Sequence, residues 1–345
     1  MSAILNIASK IYGRVLDTRN VLYDYAVFRS YKVPVPVISV GNITLGGTGK
    51  TPLVAYIARL LAEAGERPAI VSRGYRREDE NSLVVVSNGE KIIEDPSVTG
   101  DEPLELALDL KGSAAVVCDA DRVRGSVYAI ERLGASVIVL DDAFQHRRIR
   151  RDLDIVVIDA GLPFGGRRTV PGGRLRENLH NLARADAIVV TRPEDSEDLE
   201  ALRSELSDLN SDAPLFVCRS RVQSIETVWT SEDRQPDPDT TFFVFCAIGN
   251  PKSLLAQLER EGFAIAGSRS FPDHHTFTQD DIDEIEGQAR AAGADALLTT
   301  GKDAVKLVDK RFGIPCCKVK SRLVIDDETA LKSLLKSAMD LSEDS

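Results

Sequence analysis

The 345-residue chain lacks four features that would each point to a particular class of protein. Its five cysteines form no C-x-x-C pair, and an odd number of unpaired thiols fits a reducing cytosol. No window of about 18 apolar residues exists, so no transmembrane helix is expected. No apolar N-terminal stretch precedes a small-residue cleavage site, so no signal peptide is expected. The net charge of −11 argues against general nucleic-acid binding.

The composition that is present is that of a globular enzyme. Hydrophobic residues make up 43% and charged residues 28% of the chain, and the length predicts two domains. The charge is unevenly spread, because positions 1–40 hold five basic and two acidic side chains, a net charge of +3. The segment 194–212 and the C-terminal tail are acidic.

Residues 38–52 read I-S-V-G-N-I-T-L-G-G-T-G-K-T-P and are the most informative stretch. An apolar run ends in a glycine-rich turn, and a helical apolar pattern follows. This order predicts a P-loop, whose backbone amides and helix dipole hold a polyphosphate. Lysine would reach the β- and γ-phosphates, and the following threonine would bind Mg²⁺. The predicted nucleotide-binding residues are Gly46, Gly47, Thr48, Gly49, Lys50 and Thr51.

The loop departs from the standard spacing at one position, where Thr44 stands in place of glycine. What remains is close to the variant loop of partitioning-type ATPases, which carry a second lysine where this chain has Leu45. The alternative interpretation is a glycine-rich turn that only joins a strand to a helix.

The apolar strand 137–140 ends in Asp141 and Asp142. This is how a Walker B strand ends, with a carboxylate at the carboxyl edge of the sheet that holds Mg²⁺ directly or through water. Both residues are therefore candidate metal ligands. The alternative is an exposed pair of acids at a strand end.

Basic residues follow the acid pair at once. Residues 144–151 contain four arginines within five positions, and Arg167, Arg168, Arg174 and Arg176 lie downstream. Arginine forks suit phosphate or carboxylate groups. A solvated basic loop is the alternative.

Two further segments carry candidate catalytic side chains. Asp101 lies just before a predicted helix, where an isolated aspartate is usually a cap or turn residue. Residues 271–277 hold two of the four histidines next to Asp273. A metal site there lacks further ligands of matching spacing. A histidine–aspartate pair that activates a hydroxyl for phosphoryl transfer is the sharper hypothesis.

Strands that alternate with helices predict an α/β fold, a P-loop NTPase-like, doubly wound, mostly parallel sheet with a second, smaller α/β domain. Residues 1–30 are predicted as an amphipathic helical segment, either a domain cap or a helix on an anionic membrane surface. Residues 31–212 are predicted as the P-loop domain. Residues 213–241 are predicted as a linker of two strands, 214–219 and 225–229, followed by a polar loop over 230–240. Residues 242–345 are predicted as the smaller domain, contributing to the active site.

Nine motifs along the chain together resemble the tetraacyldisaccharide 4′-kinase family, which acts in lipid A biosynthesis. They are P-V-I-S-V-G-N-I-T-L-G-G-T-G-K-T-P (36–52), V-S-R-G-Y-R-R (71–77), G-D-E-P (100–103), D-A-D-R (119–122), L-D-D-A-F-Q-H-R (140–147), G-G-R-L-R-E (172–177), A-I-G-N-P (247–251), F-P-D-H-H-T-F (271–277) and T-T-G-K-D-A-V-K (299–306).

The resemblance implies ATP- and Mg²⁺-dependent phosphorylation of the 4′-hydroxyl of a tetraacylated glucosamine disaccharide 1-phosphate, giving lipid IVA. It also implies a peripheral enzyme at the cytoplasmic face of the inner membrane, with no nucleic acid and no obligate protein partner. Lys50, Asp101 as general base and His274 as its partner from the second domain would be catalytic. Candidates for substrate contact are Arg73, Tyr75, Gln145, His146, Arg174, Arg176 and Glu177.

Three positions depart from the family pattern: Ala143 replaces glycine, Gly301 replaces glutamate and Asn178 replaces proline. Any role of the missing acid at 301 is therefore in doubt. Two other functions are compatible with a P-loop: a partitioning-type ATPase switch and a GTPase that delivers metal. Leu45 and the histidine cluster argue against the first, and preferential use of GTP would favour the second.

Overall fold

The computed structural model describes residues 2–75, 77–229, 237 and 239–340, and side chains from residue 4 onward. The chain forms two units. Unit 1 comprises Met1–Arg219 and Val324–Ser345, and unit 2 comprises Ser220–Leu323.

A mostly parallel sheet forms the centre of unit 1. Its strands are β1 (Val37–Gly41), β2 (Pro68–Ser72), β3 (Val84–Ser87), β4 (Ala115–Cys118), β5 (Val137–Asp141), β6 (Leu153–Asp159), β7 (Ala187–Thr191) and β8 (Leu215–Trp229). They lie in the order β8-β7-β6-β1-β5-β2-β4-β3. Among these described strands, β3 is antiparallel to its neighbour β4, and the other neighbouring pairs are parallel. The strands β1, β2, β4, β5, β6 and β7 are buried along their whole length, because helices cover both faces of such a sheet.

In the part of the chain that the structure describes, seven α-helices belong to unit 1. They are α1 (Ser2–Asp24), α2 (Lys50–Glu63), α3 (Pro96–Thr99), α4 (Asp101–Asp109), α5 (Arg122–Leu133), α6 (Leu199–Leu209) and α10 (Glu328–Asp340). Local signals delimit them. The Asp121 carboxylate caps the start of α5 by accepting from the amides of Val123 and Arg124, and Gly134 ends it with φ 69°.

Unit 2 is built on a smaller parallel sheet. The strands β9 (Phe242–Cys246), β10 (Ile265–Ser270), β11 (Ala296–Thr300) and β12 (Cys316–Ile325) lie in the order β10-β9-β11-β12. The helices α7 (Pro251–Arg260), α8 (Gln279–Ala291) and α9 (Gly301–Ala304) connect them. The predicted α/β class and the doubly wound, mostly parallel sheet are confirmed.

The region between the units differs from the predicted linker. The chain passes between the units within β8 and again within β12, so α10 returns to unit 1 instead of completing the smaller domain. The two predicted strands at 214–219 and 225–229 form one continuous strand, β8. Val222 and Ile225 pack against a core of unit 2, which keeps the polar residues between the two predicted strands extended. The predicted polar loop over 230–240 lies largely outside the described residues.

The P-loop is placed by contact between the ends of two neighbouring strands. A methyl group at Gly41, the last residue of β1, would lie 2.6 Å from the backbone nitrogen of Phe144, which follows β5. Phe144 is fully buried. Only glycine therefore allows the loops that follow β1 and β5 to lie side by side.

We predict that Leu331→Ala destabilises unit 1 by about 2–5 kcal/mol, because this α10 side chain is fully buried. Urea unfolding followed by far-UV circular dichroism measures this loss of unfolding free energy. The single tryptophan, Trp229, lies in unit 2, where its ring centroid is 5.9 Å from that of Phe312. Its fluorescence transition should therefore move less than the dichroism transition.

The control is Lys332→Ala, since this neighbouring side chain is half-exposed and pairs only with Glu328 one turn away. Equal shifts of both transitions in Leu331→Ala would show that α10 does not stabilise unit 1 separately.

Candidate active site

The predicted P-loop occupies the turn between β1 and α2. Gly49 precedes the helix with φ 83°, and Lys50 and Thr51 are the first two residues of α2. This geometry leaves the first amides of α2 available for an anion. Thr44 has no positive φ, so a residue other than glycine is tolerated there.

Side chains that the sequence analysis did not single out brace this loop from both sides. The Asn42 amide donates to the Thr44 carbonyl oxygen at 2.8 Å and to Thr48 Oγ1 at 3.1 Å. From the end of β7, Thr191 Oγ1 donates to the Thr48 carbonyl oxygen at 2.8 Å. Arg192 donates to the Gly47 carbonyl oxygen at 2.8 Å and pairs with Asp159. These bonds fix the backbone of the loop between β1 and α2.

Asp142 is the acid that meets the cations of the site. Its carboxylate lies 3.4 Å from Lys50 Nζ and accepts two bonds of 2.9 Å from Arg176 Nη1. Burial alone would raise the pKa of Asp142, but Lys50 and Arg176 outweigh it and lower the pKa to about 2. Three predicted site residues, Lys50, Asp142 and Arg176, are thus in contact.

Asp141 has the opposite environment. Burial, with the charges of Glu102 and Asp142 adding to it, raises the pKa of Asp141 to about 6. Ser72 Oγ donates to Asp141 Oδ2 at 3.1 Å, whereas Oδ1 is buried and has no hydrogen-bond partner among the described residues. Arg122, from the D-A-D-R motif, donates to the Asp141 carbonyl oxygen at 3.3 Å. Sequence reasoning did not assign Arg122 a place in the site.

Asp101 opens α4. The preceding Gly100 has φ 83°, and a methyl group there would lie 3.4 Å from the Tyr75 carbonyl oxygen, so the loop around Tyr75 lies against the start of α4. Glu102, in the first turn of α4, is one of the charges that raise the pKa of Asp141. Arg73 and Tyr75 are exposed, and Arg73 lies 3.7 Å from Glu80.

Gln145 and Glu177, two predicted substrate contacts, lie inside a hydrogen-bond network. Gln145 Nε2 donates to the Asn42 carbonyl oxygen at 2.8 Å and to Glu177 Oε1 at 2.7 Å. Glu177 is buried, pairs with Arg184 at 3.0 Å and accepts from Asn20 of α1 at 3.1 Å. These two residues therefore join α1 to the P-loop.

His146 and Arg174, which are also predicted substrate contacts, differ in environment. His146 is half-buried, and its pKa is lowered to about 4, chiefly by burial and then by Arg122. Arg174 is exposed, and its carbonyl oxygen accepts the Leu45 amide at 2.7 Å.

The helix α1 has its apolar side outward. Ile7, Ile11 and Val15 are 60%, 58% and 60% exposed. Its inner side is polar, since Ser9 Oγ accepts the Gly172 amide at 2.8 Å and Asp17 accepts from Asn178 at 2.7 Å. Asn178, one of the departures from the family pattern, thus anchors this helix.

In unit 2 the two adjacent histidines have different partners. His274 has φ 65°, and its Nε2 lies 3.3 Å from Lys302 Nζ and 3.8 Å from Asp273 Oδ2. His275 Nε2 lies 3.0 Å from Asp281 Oδ2, and its ring stacks on Phe271 at 4.7 Å. His275 is therefore a packing residue, which distinguishes it from His274.

Metal-binding clusters and membrane-spanning helices are both absent from the described part of the chain. No group of three or more His, Cys, Asp or Glu side chains there is arranged to hold a metal ion. Within the same ranges, no helix combines the length and hydropathy that crossing a bilayer requires.

Comparison with known proteins identifies the family that this chain resembles along nearly its whole length. Residues 1–340 match the family described as tetraacyldisaccharide-1-P 4′-kinase. The tetraacyldisaccharide 4′-kinase of Desulfotalea psychrophila is 40% identical over 333 residues, 94% of each chain. That of Geobacter metallireducens is 37% identical over 343 residues, covering 96% of this chain and 98% of the relative. The crystal structure of LpxK from Aquifex aeolicus in complex with ATP matches with TM-score 0.78 and 30% identity, covering 98% of this chain and 99% of that one.

We predict that Asp141→Asn stabilises the nucleotide-free protein at pH 8 and has no effect below about pH 4. The folded-state pKa of about 6 exceeds the unfolded value of 3.8, so the ionised carboxylate destabilises the fold. The loss of unfolding free energy caused by ionised Asp141 grows as the pH rises from about 4 to 6 and is then constant. A shift of two pKa units corresponds to about 3 kcal/mol. Urea unfolding without Mg²⁺ at pH 4, 6 and 8 measures it.

Asp142→Asn is the matched variant, and its effect on the free energy of unfolding should have the opposite sign. Its pKa is lowered to about 2, so ionised Asp142 stabilises the fold at pH 8, and this contribution is lost only as the pH falls from about 4 to 2. Destabilisation by both variants at pH 8 would contradict the assignment of opposite environments to the two carboxylates.

Proposed function

Because the chain belongs to the tetraacyldisaccharide-1-P 4′-kinase family, we propose that it transfers the γ-phosphoryl group of ATP to the 4′-hydroxyl of a tetraacylated glucosamine disaccharide 1-phosphate. The product is lipid IVA, an intermediate of lipid A and lipopolysaccharide biosynthesis. Membership of this family confirms the predicted identification as a kinase, a transferase. It leaves no support for the partitioning-ATPase and metal-delivery alternatives.

The observation that carries the proposal is the cluster of Lys50, Asp142 and Arg176 at the P-loop. Lys50 is nearly buried and lies 3.4 Å from Asp142, so the ion pair positions its ammonium group at the start of α2. Phosphoryl transfer depends mainly on positioning and on neutralising phosphate charge. A lysine held at the start of a helix, where the backbone amides donate to an anion, supplies both the positioning and the charge neutralisation.

The acid pair fits a magnesium ion, which would neutralise charge on the β- and γ-phosphates. Hard oxygen ligands suit Mg²⁺, and Asp141 Oδ1 is a buried carboxylate oxygen with no hydrogen-bond partner in the described ranges. Asp141, Asp142 and the Thr51 hydroxyl are the groups that would hold it, directly or through water. Asp142 also keeps Lys50 oriented.

Asp101 is proposed as the general base that accepts the proton of the 4′-hydroxyl, with His274 of unit 2 as its partner. Support comes from the position of Asp101 at the first residue of α4, whose first turn also holds Glu102. His274 stands in a backbone conformation, φ 65°, that is uncommon for residues other than glycine. Such conformations persist where the surrounding structure maintains them and cluster at functional sites.

Three exposed side chains remain candidates for the sugar and the 1-phosphate: Arg73, Tyr75 and Arg174. Arginine forks suit a phosphate monoester. For Gln145 and Glu177 the proposed role is support of the P-loop, because their polar atoms bond to one another and to Asn42.

The glycolipid substrate requires a lipid surface, and α1 is proposed to contact it. The apolar side of this helix faces solvent, and its polar side is bonded to the rest of unit 1. An amphipathic helix with such an outward apolar face inserts at the level of the headgroups. The proposed location is the cytoplasmic face of the inner membrane, as a peripheral protein.

We predict that the wild-type protein labels tetraacyldisaccharide 1-phosphate from γ-labelled ATP in detergent micelles and that Lys50→Ala abolishes labelling by weakening phosphate binding. Asp101→Asn should keep ATP affinity and lower turnover by about 10²–10⁴-fold, because the base is lost but the P-loop is not. Lipid product is measured by thin-layer separation, and ATP binding by calorimetry.

Lys111→Ala, at an exposed lysine of unit 1, is the control for loss of a positive charge. Absence of a labelled lipid with the wild type, while ATP still binds, would refute the proposed acceptor. Full turnover by Asp101→Asn would remove Asp101 from the role of base.

We also predict that Ile7→Gln, Ile11→Gln and Val15→Gln combined lower the fraction bound to phospholipid vesicles by at least about tenfold. Each buried aliphatic side chain contributes about 1–2 kcal/mol to such binding. The three residues are exposed, so the fold and ATP affinity should not change. Co-sedimentation with vesicles is the measurement.

The control is Val308→Gln in unit 2, where the side chain is 80% exposed but does not belong to α1. Unchanged sedimentation of the triple variant would assign α1 the role of a domain cap only.

A further inference from the structure

A groove at the end of α1 contains part of the arginine run that the proposed function does not use. It has a volume of about 880 Å³, and all of its lining residues belong to unit 1. They come from residues 23–32, from residues 147–151 and from the region where β6 and β7 begin. The P-loop follows the carboxyl end of β1, and β1, β6 and β7 are parallel. The groove therefore reaches the edge of the sheet opposite to the P-loop.

Hydrogen bonds fix the backbone of the two long walls of this groove. The Tyr31 amide donates to the Arg148 carbonyl oxygen at 2.7 Å, and the Arg150 amide donates to the Tyr31 carbonyl oxygen at 2.9 Å. Ser30 Oγ donates to the Arg147 carbonyl oxygen at 2.6 Å. These bonds keep the two segments side by side, so the basic side chains of both are held close together although they repel one another.

The acidic side chains that line the groove already have partners. Asp24 Oδ1 accepts from Arg147 at 2.7 Å, and Asp154 Oδ2 accepts from Arg151 at 2.6 Å. Asp186 Oδ2 accepts the Asp154 amide at 2.7 Å. Two of the six basic side chains of the groove are thus compensated by acids of the groove itself.

Three other basic side chains of the groove are left without a counter-charge. Arg184 pairs with Glu177 at 3.0 Å. Arg29, Lys32 and Arg150 are exposed and have no ion pair within the part of the chain that the structure describes. A cleft lined by an excess of one charge concentrates counter-ions, and arginine forks suit phosphate. The groove therefore fits a phosphate group, although the chain as a whole has a net charge of −11.

The rim of the groove is continuous with the exposed apolar side of α1. Val21 and Tyr25 follow Ile7 and Ile11 by about four helical turns, so they lie on the same side of the helix. Val21 is 47% exposed, Tyr25 is 80% exposed, and Phe28, which lines the groove, is 41% exposed. Aromatic side chains concentrate at the level of the lipid headgroups. A lipid surface that contacts α1 would therefore bring its headgroups to the groove.

We propose that this groove binds the phosphate of an anionic phospholipid headgroup, which Arg29, Lys32 and Arg150 contact. This inference rests on the proposed contact of α1 with a lipid surface. The apolar side of α1 inserts into any bilayer, whereas the groove makes the protein select one with anionic headgroups. The bound phospholipid takes no part in phosphoryl transfer, because the groove reaches the sheet edge opposite to the P-loop.

The first test compares co-sedimentation of the full-length protein with two kinds of vesicle at one salt concentration. One is pure phosphatidylcholine, and the other also contains phosphatidylglycerol. We expect the wild type to bind the anionic vesicles at least about tenfold more tightly. Arg29→Gln, Lys32→Gln and Arg150→Gln combined should remove most of this difference and leave binding to phosphatidylcholine unchanged. The three side chains are exposed, so the fold and ATP affinity should not change.

Arg148→Gln is the matched control for Arg150→Gln, because it removes the same charge from the same segment. Arg148 pairs with Asp121 at 2.9 Å and does not line the groove. We expect Arg150→Gln alone to weaken binding to anionic vesicles and Arg148→Gln to leave it nearly unchanged. Equal losses in the two variants would overturn the proposal, since the preference would then come from diffuse surface charge and not from a site.

A second experiment identifies the source of the phosphate. Inorganic phosphate, compared with chloride at equal ionic strength, should not release the wild type from anionic vesicles. Release would show that the groove takes free phosphate as readily as a headgroup. The KM for the glycolipid in neutral detergent micelles should be the same in the wild type and in the triple groove variant. A raised KM would make the groove part of the substrate site. Either result would overturn the assignment to a phospholipid.

The same vesicles distinguish failure of the groove from failure of the proposed membrane contact. Equal binding of the wild type to both compositions would overturn the groove as a headgroup site and leave the contact of α1 intact. The combined substitutions at Ile7, Ile11 and Val15 should weaken binding to both kinds of vesicle. Absence of wild-type sedimentation with either kind would refute the membrane contact itself, and the groove proposal with it.

Discussion

The contact between Lys50 and Asp142 is the interaction on which the unit 1 site depends. Lys50, at the start of α2, is nearly buried, and a buried ammonium group needs a carboxylate partner. Asp142, itself bonded to Arg176, compensates that charge at a distance that leaves the ammonium available. At Asp141, burial and the charges of Glu102 and Asp142 outweigh the effect of Lys50, so the two adjacent acids shift their pKa values in opposite directions.

Polar contacts also connect the P-loop to the helix α1. From Asn20 on α1, hydrogen bonds run through Glu177 and Gln145 to the Asn42 carbonyl, and Asn42 binds Thr48. A helix that packs by hydrogen bonds is free to expose its apolar residues. In most globular proteins the arrangement is reversed, with the apolar stripe inward. The orientation of α1 is thus inverted: its polar side is bonded to the rest of unit 1 and its apolar side is exposed.

In unit 2, His274 lies beyond the carboxyl end of β10. Its amide donates to the Ala247 carbonyl oxygen at 3.3 Å, and its Nε2 lies 3.3 Å from Lys302 Nζ. In the motif T-T-G-K-D-A-V-K, Thr300 and Asp303 bond to each other at the start of α9, and Lys302 lies next to the histidine ring.

The P-loop, the acid pair and the α/β class were determined by sequence alone, because each depends on residues contiguous in a strand, a turn and a helix. Tertiary structure decided what depends on residues far apart in the chain. It paired Lys50 with Asp142, drew Gln145 and Glu177 inward to support the loop, and merged two predicted strands into β8. Such contacts have no local signal, since a side chain's partner is set by how the strands and helices pack.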